Sequence, residues 1–307
     1  MFSYIITIQL KSSLITPLHA DTIFGHICWG IKFSDGNAVL EEFLSQYDNG
    51  NLPVILSSAF PHGFLPKPVF KPQLPSFDLT LKQTEDYKQI KMVKYIPNKY
   101  FFDSIPISES ELVKDFSKEE FLREKSGLKI VAGQHNTINR ISGSKDEEKA
   151  LYSSSEFWYK ENSLFDIFVL TGFEKEKTFN LFSKAFENGY GADKSTGKGV
   201  IVIKNISEIT FPEKGNRAMA LSNFVLKNKN DVSNFRYDFF TKFGKLGGDY
   251  AITKYPFKKP IIMYKSGSSF DRISEQFTGC LLKNIHSDEK IKHYAFTPVI
   301  NFNEVDG

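Results

Sequence analysis

Cysteine is nearly absent: Cys28 and Cys280 are the only two in 307 residues. Two thiols so far apart provide neither a zinc-ligand framework nor a disulfide scaffold, and they suit a reducing compartment. Histidine is scarce too, with six residues, and His62, His286 and His293 lack metal-ligand spacing; no cofactor or metal is expected. No apolar run approaches the length needed to cross a bilayer, so a membrane is not an expected partner. The opening "MFSYIITIQL" lacks the basic region and cleavage signal of a secretory peptide, and a cytoplasmic location is expected. A strong net charge is also missing. At +3 the balance does not announce a nucleic-acid binder, although it allows one whose lysines and arginines are gathered on one face.

Aromatic residues are present in excess: thirty phenylalanines and thirteen tyrosines. They fill cores, and they offer stacking faces. The length allows two packed domains. In the opening stretch Tyr4, Ile6, Ile8 and Leu10 alternate onto one face, which predicts a first strand. "PLHADTIFGHICWGIKF" follows, with Ile23, Phe24, Ile27, Cys28 and Ile31 as a helical stripe. Asp21 or Thr22 is the expected cap, and "SDGN" the stop. "VLEEFLSQY" is a second amphipathic piece and "LPVILSSAF" a second strand.

Prolines then recur at 61, 66, 68, 72, 75, 97 and 106. Between them lies the short basic amphipathic segment "EDYKQIKMVKY". Residues 61–128 read as a long insertion projecting from the domain, a hairpin or helical arm rather than a structureless loop. "GLKIVAGQHNTINRISGSKDEEKALYSSS" mixes one apolar run with polar, mobile chain. "EFWYKENSLFDIFVL" reads as a hairpin turning at Glu161–Asn162. A helix over 174–188, with Thr178, Leu181, Phe182 and Ala185 on one face, leads through a glycine loop to the strand "VIVIKNI".

Without the insertion the order is strand–helix–strand, strand–helix–strand, the ferredoxin-like plan. The expected class is therefore α+β. Residues 1–206 would form a ferredoxin-like (RRM-like) domain with an insertion over about 61–155, and residues 207–307 a second ferredoxin-like domain. Strand candidates in the second are "RAMALSNFVL", "KPIIMYK" and "HYAFTPVI"; its helices are poorly marked.

The glycine loop, "ENGYGADKSTGKGV", is not a P-loop. Gly191 and Gly197 are separated by five residues where a P-loop has four, Lys198 is followed by Gly199, and the order is helix–loop–strand instead of strand–loop–helix. No hydroxyl stands where a magnesium would need it. The loop leaves a helix C-terminus, where the dipole repels anions. Lys194, Lys198 and free loop amides would have to supply the attraction, which suits an extended polyanion better than a triphosphate. The alternative is a long glycine turn with solvated lysines.

Six motifs occur in order: "HADTIFGHICWG", "LPKP" at 65–68, "HNTINRISG" at 135–143, "GYGADKSTGKG" at 189–199, "YKSGSSF" at 264–270 and "HYAFTPV". Together with two ferredoxin-like halves they resemble the RAMP superfamily of CRISPR proteins, and within it the fourth Csm subunit of type III-A effector complexes, in the fifth Cas family group. The likeness spans nearly the whole chain; each motif alone is weak and the ordered set is strong. It implies a non-catalytic subunit that binds the repeat-derived 5′ handle of crRNA. The implied protein contacts are the large polymerase-type subunit and the first subunit of the backbone filament, with target RNA met only indirectly. The inserted arm would be the thumb that props a base out of the guide–target duplex.

On this reading Lys194 and Lys198 hold phosphate. Gly189, Gly191, Gly197 and Gly199 permit close backbone approach, and Ser195 and Thr196 donate to phosphate or a ribose 2′-OH. His135, Asn136, Thr137, Asn139 and Arg140 form a second polar cluster, whose Arg140 holds a phosphate or stacks on a base. Lys88, Lys91, Lys94 and Lys99 would either line the channel or form a solvated face. His19, Asp21 and His26 raise the alternative of a metal-independent, repeat-cleaving endoribonuclease. That chemistry needs an acid and a base held together, whereas Asp21 also serves as a helix cap and His26 as a boundary residue. The non-catalytic reading keeps His19 with the RNA contacts.

Overall fold

The computed structural model describes residues 1–72, 81–116, 120–123, 127–136, 151–248, 250 and 255–305. Strand β1 (Phe2–Leu10) follows the alternation read from the sequence: Tyr4, Ile6, Ile8 and Leu10 are all buried. Helix α1 (Ala20–Asp35) buries Ile23, Phe24, Ile27 and Ile31 and stops at Gly36, which has positive φ. Its N-cap position is taken by His19, with no side-chain cap bond. Asp21, one of the two expected caps, instead lies in the first turn and pairs with Lys242. After α2 (Asn37–Asp48) come β2 (Val54–Leu56) and β3 (Phe60–Pro61).

The closing elements of this half are β9 (Leu164–Thr171), α6 (Lys175–Phe186) and β10 (Ile201–Glu208). Neighbouring strands run in the order β10-β1-β9-β2, with β3 also on β9, and every pairing is antiparallel. The half thus has the predicted strand–helix–strand repeat, with its two outer strands flanking the central pair. Helices α1 and α6 pack closely because residue 30 is glycine: a Cβ there would come within 2.8 Å of the Lys184 carbonyl carbon.

The long insertion differs from the projecting arm expected over 61–128. It holds β4 (Phe64–Pro66), α3 (Leu81–Met92), β5 (Val93–Pro97), α4 (Lys99–Phe102), α5 (Glu109–Asp115) and β6 (Leu122–Arg123), with β4, β5 and β6 forming one small sheet. Leu65, Ile90, Val93, Ile96, Phe101, Ile107 and Leu112 are buried in the main core. Apolar area makes this segment part of the body, and "EDYKQIKMVKY" bridges a helix and a strand. The stretch read as polar, mobile chain contains β7 (Leu128–Asn136), paired over nine residues with β8 (Leu151–Tyr159). The turn at Glu161–Asn162 is present, with Asn162 at φ 60. The strands on its two sides belong to different sheets, so it does not close the hairpin expected there.

The second half contains β11 (Arg217–Ala220), β12 (Phe239–Lys242), β13 (Ile261–Tyr264), β14 (Ser269–Asp271), β15 (Phe277–Leu282) and β16 (His293–Phe302). All three strand candidates are strands. No α-helix occurs among its described residues, so the second strand–helix repeat is not formed there. The sheet order is β14-β11-β16-β15. Strand β16 is buried on both faces: Tyr294, Phe296, Ile300 and Phe302 join the main core, while Ala295 and Val299 face smaller clusters. Phe24 stacks on Tyr294 at 4.5 Å, and the Tyr294 hydroxyl accepts from the Leu56 N–H at 2.8 Å. Among the described residues no helix is long and apolar enough to cross a membrane.

Candidate nucleic-acid interface

The glycine loop leaves α6 through Gly189, whose N–H bonds the Phe186 carbonyl. It passes a single 3-10 turn at Lys194–Thr196 and enters β10. Most of its polarity is spent inward. Tyr190 is buried and donates its hydroxyl to the Pro17 carbonyl at 2.7 Å. The Tyr190 N–H bonds the Gly199 carbonyl, and the Gly199 N–H bonds the Ser13 carbonyl. The Gly191 N–H donates to His26 Nε2 at 2.9 Å, and the Ala192 N–H to Thr16 Oγ1 at 3.1 Å. These bonds tie the loop to the segment after β1. They also account for amides that the sequence reading left free for an anion.

The glycines divide in the same way. All four have positive φ. A Cβ at Gly199 would collide with the Tyr190 carbonyl, and one at Gly191 would lie 2.7 Å from Thr16. Those two serve the protein's own packing. Gly197 has open space around it. With Lys194, Ser195 and Thr196, all exposed, it forms the part of the loop that faces outward.

Lys198 is not a free cation. Its Nζ lies 2.7 Å from Glu156 Oε2, on β8. The indole N–H of Trp158 donates to the same oxygen at 3.0 Å, and the Lys198 ammonium stands 5.2 Å from the centre of the Trp158 ring. Lys198 first, and then the indole and Ser13, hold the Glu156 carboxyl below the usual carboxylate range. The joint fixes the loop to the base of the β7–β8 hairpin, beside the Leu14–Phe157 bridge. Trp158 itself stays 44% exposed, so its ring is available for stacking. Sequence reasoning missed Glu156, Trp158 and Thr16, because nothing in a linear pattern marks a contact across 42 residues.

His135 and Asn136 end β7, opposite Tyr152 and Leu151. Thr137, Asn139 and Arg140 lie outside the described residues. Lys88 and Lys91 are exposed on α3, and Lys94 and Lys99 are half-buried.

Two of the three catalytic candidates are engaged by other groups. His26 accepts from Gly191, so its Nε2 is occupied; burial and then Lys194 push its pKa down to about 4. His19 is pushed to about 4 as well, by burial and by Lys242. Burial works to raise the pKa of Asp21, but Lys242, His293 and His19 outweigh it and leave the carboxyl below its ordinary range. Asp21 is paired with Lys242, and the His293 ring nitrogen lies 3.8 Å from it. Near neutrality the set contains two uncharged histidines and one carboxylate tied to Lys242. Among the described residues no cluster of three or more His, Cys, Asp or Glu could hold a metal.

No protein-family model matches the sequence, and no curated protein does. The fold, however, superposes on a chain in a crystal structure of a Csm1-Csm4 cassette in complex with AMPPNP. The TM-score is 0.57 at 17% identity, over 99% of this chain and 100% of that one. It superposes equally fully on a chain in a crystal structure of the Csm3-Csm4 subcomplex in the type III-A CRISPR-Cas interference complex, with TM-score 0.56 and 14% identity. Over 99% of its length the chain therefore shares its overall fold with chains of these assemblies.

Proposed function

We propose that the protein is a non-catalytic RNA-binding subunit of a type III-A CRISPR effector complex, of the Csm4 kind. It seats the 5′ repeat handle of crRNA on the outer part of the glycine loop and bridges the large polymerase-type subunit to the backbone filament. The observation that carries this reading is the full-length likeness to chains in both a Csm1-Csm4 and a Csm3-Csm4 structure; Csm4 is the component common to the two. The ordered motifs point the same way.

The loop geometry supplies a mechanism. Bonds to Ser13, Thr16 and His26 hold the turn rigid before RNA arrives, so little ordering is left for the binding step. Lys194 places a point charge for a phosphate, and Ser195 and Thr196 offer hydroxyls for phosphate or ribose. Gly197 leaves room for the backbone of the RNA. Trp158 adds a stacking face beside the loop, and the β7–β8 hairpin takes the part of the thumb. Lack of catalysis belongs to the same proposal and is supported by the engagement of His26 and Asp21 described above.

The test is incubation of the purified protein with labelled repeat RNA in EDTA, read for retention and for a cleavage product. Retention of handle-containing RNA without cutting is expected. A cleavage product abolished by His19→Ala or Asp21→Ala would replace this reading with that of a metal-independent endoribonuclease.

A further inference from the structure

The backbone of residues 239–246 returns antiparallel along 255–264. Strands β12 and β13 pair from Phe239↔Tyr264 to Lys242↔Ile261, and the bridge Lys245↔Phe257 extends the ladder. Beyond the first of these stretches, Gly247 and Gly248 cover the Trp29 ring of α1. One face of this ribbon turns inward: Ile261 and Met263 are buried, with Phe240 packed against them. The opposite face of a solvated hairpin is ordinarily polar. Here it carries Phe239, Phe243, Tyr255, Phe257 and Ile262, with Tyr237 adjoining, each between 48% and 72% exposed. A ribbon apolar on both faces has the composition of one covered on both faces.

We infer that this outer face is a docking surface for a protein subunit that presents an apolar, weakly charged area. The inference rests on the proposed role in an effector complex and adds to it the place where a neighbour sits. Area supports a protein. At 150–250 Å² per aromatic side chain, the exposed parts of the five rings come to roughly 600 Å². That is at the upper end for the largest apolar patch of an ordinary monomer, a patch that is often functional, and approaches the roughly 800 Å² that each side of a stable interface contributes. Charge argues against nucleic acid. A stacking platform for RNA needs several cations beside its rings; Lys245 puts one ammonium 6.0 Å from the centre of the Phe257 ring, and the other described lysines of this ribbon are committed elsewhere. Lys242 pairs with Asp21 and Lys265 with Asp238. Lys258 donates to the Lys292 carbonyl and Lys259 to the Asn284 carbonyl. The rings also pack on one another, with Tyr237 against Phe235 and Tyr264 at 4.7 and 4.9 Å, as in the anchor cluster of a protein interface.

The experiment uses the full chain co-expressed with the other protein subunits of its effector complex, with two double variants, Phe243→Ser/Phe257→Ser and Phe239→Ser/Ile262→Thr. Both pairs are exposed, so the melting temperature should not fall. Affinity for one partner subunit should weaken by at least about tenfold, with handle-RNA affinity unchanged. Loss of RNA affinity with assembly intact would make the face a nucleic-acid platform and overturn the inference. A wild-type chain that dimerises alone, and stops when either pair is changed, would assign the face to a second copy and overturn it as well. Undiminished assembly of both variants would overturn this inference alone. Failure of the wild-type chain to assemble with any subunit would overturn the proposed function, and this surface with it.

Discussion

Lys194 and Lys198 stand four residues apart and have different roles, although the sequence presents them as equals. Lys194 is exposed on the 3-10 turn, whereas Lys198 is paired with Glu156. Lys194→Ala should therefore remove one phosphate contact, lowering the slope of log K against log salt by about 0.7 for a single strand. Lys198→Ala should leave that slope unchanged. It should instead loosen the joint with β8 and let the Glu156 pKa rise towards its ordinary value. A titration of handle RNA at several salt concentrations separates the two; equal slope changes would show that the Lys198 pair opens to bind phosphate. His26 makes a second prediction at this scale. Its folded pKa of about 4 lies below its unfolded value near 6.5, so the unfolded chain binds the proton first as pH falls. The stability it protects is complete above pH 6.5 and is lost between pH 6.5 and 4, to the order of 3 kcal/mol. His26→Gln keeps an acceptor for the Gly191 N–H but does not titrate. Its acid loss should be shallower than wild type in melts recorded from pH 7 to 4, and an identical profile would remove His26 as a source. The glycine loop was legible as a loop, and its turn residues were legible too. What was not legible is that Gly191 and Gly199 answer to Thr16 and Tyr190, because close approach is a property of the fold and not of spacing.

The elements show why periodicity reads some segments and fails on others. Strand β1 and helices α1 and α6 each bury one face against a neighbour, so their alternation or stripe survives in the sequence. Strand β16 is buried on both faces and still reads as a strand, because its β-branched and aromatic residues leave no helical period. The insertion was misread for a definite reason. Its prolines and lysines suggest surface, but Val93, Ile96, Phe101 and Leu112 are spaced across several short elements, and no single window contains enough of them. They meet in the main core, so this segment should behave as core. Phe101→Ala should cost about 3–5 kcal/mol, read as a lower denaturant midpoint, and a loss below 1 kcal/mol would return the segment to the status of an arm. The β7–β8 hairpin should behave differently. Its described outer residues, Lys129, Ile130 and Ala132, are exposed, and its base is fixed at Leu14 and Glu156. Ala132 pairs with Ser155, so residues 133–154 can be replaced by Asn-Gly, which closes a two-residue turn. Melting temperature should be preserved and the placement of guide RNA in the complex weakened. A collapse of the melt would show that the distal hairpin supports the body.

At the scale of the whole molecule, the sequence suggests two domains joined end to end, and the packing joins them more tightly than that. The main core contains Ile6, Phe24, Leu56 and Phe168 from the first half and Met219, Leu221, Tyr294, Ile300 and Phe302 from the second. Strand β16 lies against α1 and β2, and Tyr294 spans the boundary: its ring is stacked on Phe24 and its hydroxyl is bonded to the Leu56 N–H. Chains of this length often unfold in steps, because separate domains melt separately. Here neither half can expose its share of the core without uncovering the other, so the isolated protein should melt in one transition, with calorimetry, far-UV dichroism and tryptophan fluorescence coincident. Tyr294→Phe tests the coupling at one atom. It retains the stacked ring but leaves the buried Leu56 N–H without its acceptor, at a cost of about 1–3 kcal/mol. The single transition should move to lower temperature without dividing. Two resolved transitions in the wild type, or a division produced by Tyr294→Phe, would mean that the halves are independent domains that only touch.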